Sequence, residues 1–162
     1  MNSFSDSVDT LYRRPGFMLR RAHQIAVSVF MGATAELKIT TTQYGVLFLL
    51  RHHEGTDQAR VARLLGLDRS TTALVIRKLE ARGLVSCMAD QTDRRRHVLA
   101  LTVEGRNMLG HLARPAENAM QTLLQPLSAA EQAQLLMLLA KLTTAFNSTA
   151  RVKLVPLAEV EG

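Results

Sequence analysis

The sequence predicts a mainly α-helical fold: a winged helix-turn-helix with a two-stranded β wing, set between long N- and C-terminal helices. Three observations carry this. Residues 57–102, DQARVARLLGLDRSTTALVIRKLEARGLVSCMADQTDRRRHVLALT, read by period as a short helix, a tight turn, a longer helix and two short strands around a basic loop. The composition is 47% hydrophobic but only 4% aromatic, as in packed Leu/Val/Ala-rich helices. The formal charge of +6 is concentrated: residues 69–96 hold seven Lys/Arg against three Asp/Glu, +4 of the total.

Taken in order, residues 1–11 are expected to form a frayed lead-in. Pro15, tolerated in a first helical turn, opens a helix expected over 15–37, with Ala22, Ile25, Ala26, Val29, Phe30, Ala33 and Leu37 as its apolar stripe. Its other faces are also poor in charge, with Arg20, Arg21 and Glu36 the ionic residues between Phe17 and Leu37. A helix apolar on more than one face needs more partner than one small domain provides, so burial against a second subunit is expected. Thr40 to Gln43 fit a capping box. The helix they open carries Tyr44, Leu47, Phe48 and Arg51 on one face and ends at His52-His53 before Gly55.

The helix expected over 57–65 stops at Gly66, and Asp68 is placed to cap the next, expected over 69–82. Unrolled at 100° per residue, this second helix puts Thr72, Val75, Ile76 and Leu79 on one side and Ser70, Thr71, Leu74, Arg77, Lys78 and Ala81 on the other. A strand over 84–88, a polar hairpin loop over 90–96 and a return strand over 97–102 follow. Thr102 caps a helix expected over 103–124, with Met108, Leu112, Ala116, Ala119 and Leu123 inward and a kink at Pro115. Ser128 to Glu131 form a second capping box, opening a helix striped by Leu135, Leu138, Leu139, Leu142 and Phe146. The chain thus divides into an N-terminal dimerisation helix (1–40), a winged helix-turn-helix (41–102), C-terminal dimerisation helices (103–148) and a tail (149–162) without a usable period.

The outward face of the second helix, with Arg69 at its start, is hydroxylic near the N-terminus and cationic one to two turns later, and it carries no acid. That suits a DNA major groove, with phosphates along the rims and base edges on the floor. Arg94, Arg95 and Arg96 at a hairpin tip have no core to enter and suit a narrow minor groove. Asp93 is expected to orient a neighbouring guanidinium by a charge-assisted hydrogen bond. Ser70, Thr71, Leu74 and Arg77 are the expected readers of sequence. Leu74 either meets a thymine methyl or packs on the shoulder of the helix-turn-helix.

The runs LGLDRSTTALVIRKLEARGLV and DQTDRRRHVLALTVEG, with Asp93-Arg94-Arg95 on the wing and Leu101-Thr102 before the next helix, resemble the recognition helix and wing of the MarR family of bacterial transcription regulators. The resemblance covers roughly residues 12–147. It implies a homodimer on double-stranded DNA, with an inverted-repeat operator whose half-sites match recognition helices about 34–36 Å apart. It also implies repression released by a small aromatic carboxylate or phenolic effector, bound where the dimer helices meet the DNA-binding lobe. Arg20, His23, Val27 and Phe30 share one helix face and Tyr44, Leu47, Phe48 and Arg51 another. They are the expected walls, with an arginine gripping the carboxylate; ordinary core packing with snorkelling arginines is the competing account.

Enzyme chemistry finds no support: there is no phosphate-binding glycine loop, zinc motif or nucleophile elbow. No cofactor is expected. Adjacent His52 and His53 point in different directions from a helix and have no Cys or carboxylate set beside them, so no metal site is expected. The polar N-terminus and the lack of a long apolar run predict no targeting segment and no membrane span, hence a cytoplasmic protein. A single cysteine excludes an internal disulfide. Cys87 is expected as a small core residue of the wing strand. Two alternatives remain: a ligand-independent architectural DNA binder, and a regulator switched by oxidation of Cys87.

Overall fold

Capping side chains set most of the element boundaries. In the computed structural model, which describes residues 8–90 and 96–155, a short helix α1 (Val8–Tyr12) precedes α2 (Pro15–Ala33). Residues 8–11 of the lead-in are therefore helical where fraying was expected. The second helix also stops earlier than the apolar stripe suggests. Thr34 is buried, and its hydroxyl donates to the carbonyls of Phe30 (2.9 Å) and Ile39 (3.2 Å). Those bonds fold the chain into a 3₁₀ turn at Ala35–Leu37, closed by Lys38 in the left-handed region at φ 53°.

Helix α3 (Thr41–His52) opens on the expected capping box: the Gln43 N–H donates to Thr40 Oγ1 (3.2 Å), and the Thr40 N–H to Gln43 Oε1 (3.0 Å). Asp57 caps α4 (Gln58–Leu65), Gly66 ends it at φ 61°, and Asp68 caps α5 (Arg69–Ala81). Each such cap contributes about 0.5–2 kcal/mol. Strands β1 (Val85–Ala89) and β2 (His97–Leu101) pair antiparallel from Val85 opposite Leu101 to Ala89 opposite His97. The wing is also stitched to the head: Leu99 N–H donates to the Thr56 carbonyl (2.9 Å), and Gly55 N–H to the Leu99 carbonyl (3.2 Å).

One core unites these parts. Ile39, Val46, Leu47, Leu50, Val61, Ile76, Leu79, Leu99 and Leu112 are buried together, so α3 to α5, the wing base and the first half of α6 (Val103–Leu124) form one body. Helix α6 runs through Pro115 and packs along α2. Its inward residues are Gly105, Leu109, Leu112 and Ala119; Met108 is only half-buried and Leu123 exposed, a shift of the expected stripe. Helix α7 (Ala129–Phe146) has the expected Ser128–Glu131 capping box but buries no residue at all. Leu136, Met137, Leu138, Leu139, Leu142 and Phe146 are exposed on it, as are Met18, Leu19, Ile25 and Met31 on α2. So much exposed apolar side chain on two helices is the mark of surfaces that meet a partner.

Candidate nucleic-acid interface and ligand cleft

Helix α5 divides as its period demands. Thr72, Val75, Ile76 and Leu79 are buried, while Arg69, Ser70, Leu74, Arg77 and Lys78 are exposed and Thr71 half-exposed. Leu74, at 45% exposure, projects outward and does not pack on the shoulder. The two hydroxyls have a further duty. Ser70 Oγ–H donates to Asp68 Oδ1 (2.6 Å) and Thr71 Oγ1–H to Asp68 Oδ2 (2.9 Å), beside the Thr71 N–H that makes the cap (2.8 Å). With their protons committed to Asp68, both hydroxyls have only acceptor lone pairs left for a second partner.

The same bonds, from the Ser70 hydroxyl first and then from the Thr71 N–H and hydroxyl, hold the Asp68 carboxyl well below the usual carboxylate range, with Arg151 adding to the effect. Because the folded-state value is depressed, the stabilisation is complete above the unfolded value of about 3.9 and is lost as pH falls below it. Asp68→Asn keeps a capping oxygen but cannot titrate. The difference in urea midpoint between parent and variant is therefore expected to shrink from pH 7 to pH 3. A constant difference would contradict this role.

On the wing, Asp93, Arg94 and Arg95 lie outside the described residues. Arg96 turns back toward the head: its Nη2 is 3.3 Å from Asp57 Oδ2, so it braces the wing against the α4 cap. As a half-exposed pair this contributes about 0–1 kcal/mol. Two anchors went unread in the sequence. Arg82, at the end of α5, donates to the carbonyls of Lys38 (2.7 Å) and Leu37 (2.9 Å), fixing α5 to the turn after α2. Thr102 caps α6 and also donates to the Gly83 carbonyl (2.6 Å), tying the wing base to α5.

Cys87 is exposed, not a core residue: it sits opposite Leu99 in the ladder, but farther out along the wing than buried Val85. Desolvation, with Glu80 nearby, pushes its thiol above the usual value. Reactive thiols are lowered instead. His52 lies against Phe48 with the rings tilted and their centroids 4.9 Å apart, and no cluster of metal-ligating side chains occurs among the described residues.

A cleft of about 440 Å³ opens between α2, α3 and α6, in the range of small-molecule sites. His23, Ala26, Val27 and Phe30 come from α2, and Thr41 and Tyr44 from α3. Helix α6 supplies Ala113, Ala116, Glu117, Ala119, Met120 and Leu123; its small alanines leave the space opposite Phe30. Phe30 and Tyr44 lie with centroids 5.5 Å apart, and Phe48 continues the aromatic ladder at 5.9 Å from Tyr44. Of the residues expected as walls, His23, Val27, Phe30 and Tyr44 come together. Arg20, Phe48 and Arg51 are not in the lining, and Leu47 is buried in the core instead. The Arg20 guanidinium sits 4.9 Å over the Phe17 ring, and Arg51 belongs to a separate cavity of about 260 Å³ with Glu54 and Arg106. The α6 contribution depends on a helix pairing that no local pattern encodes.

A model of the MarR family matches residues 39–97. The chain is 29% identical over 127 residues to the HTH-type transcriptional repressor NicR of Pseudomonas putida, 78% of this chain and 80% of that protein. Among solved structures it is similar to BpsR of Bordetella bronchiseptica, whose DNA binding is regulated by 6-hydroxynicotinic acid, at 31% identity and TM-score 0.77 over 82% of this chain and 94% of that one. It is also similar to the transcriptional repressor CouR of Rhodococcus jostii RHA1 bound to a 23-mer DNA duplex, at 30% identity and TM-score 0.78 over 85% and 97%.

Proposed function

Since the chain belongs to the MarR family of transcription regulators, we propose that it acts as a homodimeric repressor of an inverted-repeat operator, released by a small aromatic acid. The observation that carries the DNA half is the division of α5, whose cationic side chains and Ser70 are exposed, with Thr71 half-exposed, beside the wing. Arg69, Arg77 and Lys78 meet phosphates or base edges, Leu74 offers an apolar contact, and Arg94 and Arg95 enter the minor groove. The dimer is supported by the exposed apolar side chains of α2 (Met18, Leu19, Ile25 and Met31) and of α7, which find no cover among the described residues.

The cleft refines the ligand. Among the described residues its lining contains no arginine or lysine, so the carboxylate is assigned to another group. Among the described lining residues, His23 is the side chain able to carry positive charge, and Glu117 is an acceptor on the α6 wall. A ring held against Phe30 and Tyr44, with its carboxylate toward His23 and a ring hydroxyl or N–H toward Glu117, matches this set. BpsR responds to an acid of that kind, 6-hydroxynicotinic acid.

The test selects bound duplexes from random DNA and then adds 6-hydroxynicotinic acid and hydroxybenzoates. An inverted repeat with half-sites about one helical turn apart, released by one of these acids, is expected. Ala116→Phe, which fills the cleft, should keep the duplex and lose the release. Recovery of no preferred sequence contradicts the repressor reading; release of the filled variant at unchanged acid concentration contradicts the cleft.

A further inference from the structure

Past α7, a 3₁₀ turn at Asn147–Thr149 sends the chain back onto the helix-turn-helix. The Asn147 side chain clamps Leu154 at both ends of its amide: Nδ2–H donates to the Leu154 carbonyl (2.7 Å), and the Leu154 N–H donates to Oδ1 (2.9 Å). Leu154 lies over Gly66, the turn between α4 and α5, at ordinary van der Waals distance from where a Cβ would stand. Next to it, the Val155 N–H donates to the Arg63 carbonyl in the last turn of α4 (3.1 Å). Arg151 is carried by this pinned segment to the start of α5, with Nη2 3.7 Å from Asp68 Oδ2 and its side chain 87% exposed. Lys153 is exposed on the same segment, and residues 148–155 contain no acid.

We propose that residues 150–155 are a strap belonging to the DNA-reading surface, with Arg151 bridging the Asp68 carboxylate and a backbone phosphate at the groove rim. This rests on the repressor reading and extends it to a segment outside the winged helix-turn-helix. A bare carboxylate at the mouth of a reading helix repels phosphate. A guanidinium has five N–H donors in a rigid fork, so pairing with Asp68 leaves donors facing solvent for a second anion. The Asn147 clamp and the Arg63 carbonyl hold the strap in place before DNA arrives, which lowers the ordering cost of the contact. Lys153 adds a second charge to the same rim.

The experiment measures affinity for the selected operator duplex against KCl concentration, for the full chain and three variants. Arg151→Ala is expected to reduce the salt slope by about 0.9 for each phosphate lost, about two per dimer, and to weaken binding about threefold to tenfold. Asn147→Ala keeps every charge but releases the strap, and should reproduce most of that loss. Arg77→Ala reports on the reading helix itself. If Arg77→Ala weakens binding while the other two keep the parent slope and affinity, the strap is overturned and the repressor reading stands. Tighter binding by either strap variant also overturns the proposal, since the strap would then shield the surface. A parent chain that binds no duplex overturns both.

Discussion

Gly105→Ala is expected to destabilise the fold by about 3 kcal/mol or more. Gly105 lies in the first turn of α6, and its N–H donates to the capping Thr102 hydroxyl (3.0 Å). A Cβ there would overlap the Leu84 backbone oxygen and press on Leu101. Neither can yield cheaply: the Leu84 carbonyl accepts the Thr102 N–H (3.2 Å), and both leucines are buried at the wing base. Thermal unfolding followed by far-ultraviolet circular dichroism should show a midpoint lower by about 10 °C. Gly110→Ala is the control, because a Cβ there meets nothing within 4 Å; by helix propensity it should be neutral or stabilising by up to about 1 kcal/mol. Equal midpoints for the two variants would contradict the close approach of α6 to the wing base.

Arg77→Ala is expected to have the largest effect on recognition. Arg77 is exposed in the middle of α5, two turns past the cap, and Leu74 one turn earlier shares its outward side. If Arg77 reads a guanine, the variant loses about 1–3 kcal/mol at one symmetric position of each half-site and tolerates other bases there. If it holds a phosphate, every duplex weakens alike and the salt slope falls by about one for each contact. Competition between operator duplexes that differ at single positions separates the two. Parent-like affinity for all of them would remove Arg77 from the interface.

The parts of this molecule that were legible in the sequence are those made by neighbours along the chain. Asp68 with Thr71, Thr40 with Gln43, Ser128 with Glu131 and Thr102 with Gly105 are contacts three residues apart, and each marked a helix start correctly. The two sides of α5 followed from its period. What could not be read depends on distant partners. Arg82 finds its carbonyls more than forty positions away. The cleft needs α6 laid along α2, so Ala113 and Glu117 had no local signal; the helix period marked Ala116 and Ala119 as inward but not as cleft walls, and it grouped Arg20 and Arg51 with ring-bearing faces that they do not join in the lining. The end of α2 at Ala33 was hidden because the turn is made by a buried threonine and a left-handed lysine where glycine is usual. The need for glycine at position 105 is likewise set by a distant group, the Leu84 carbonyl that closes over the first turn of α6.

Control of DNA binding through the cleft is the central claim, and it is a statement about linked equilibria. A ligand shifts a conformational balance only by its differential affinity for the two states, and the coupling is the same seen from either site. The most direct measurement is calorimetric titration of the releasing acid into the free dimer and into the dimer saturated with operator duplex. The account predicts weaker binding to the operator complex, by the same factor, about 5–150-fold, by which the acid weakens operator affinity. Equal affinities for the free and the operator-bound protein would contradict it.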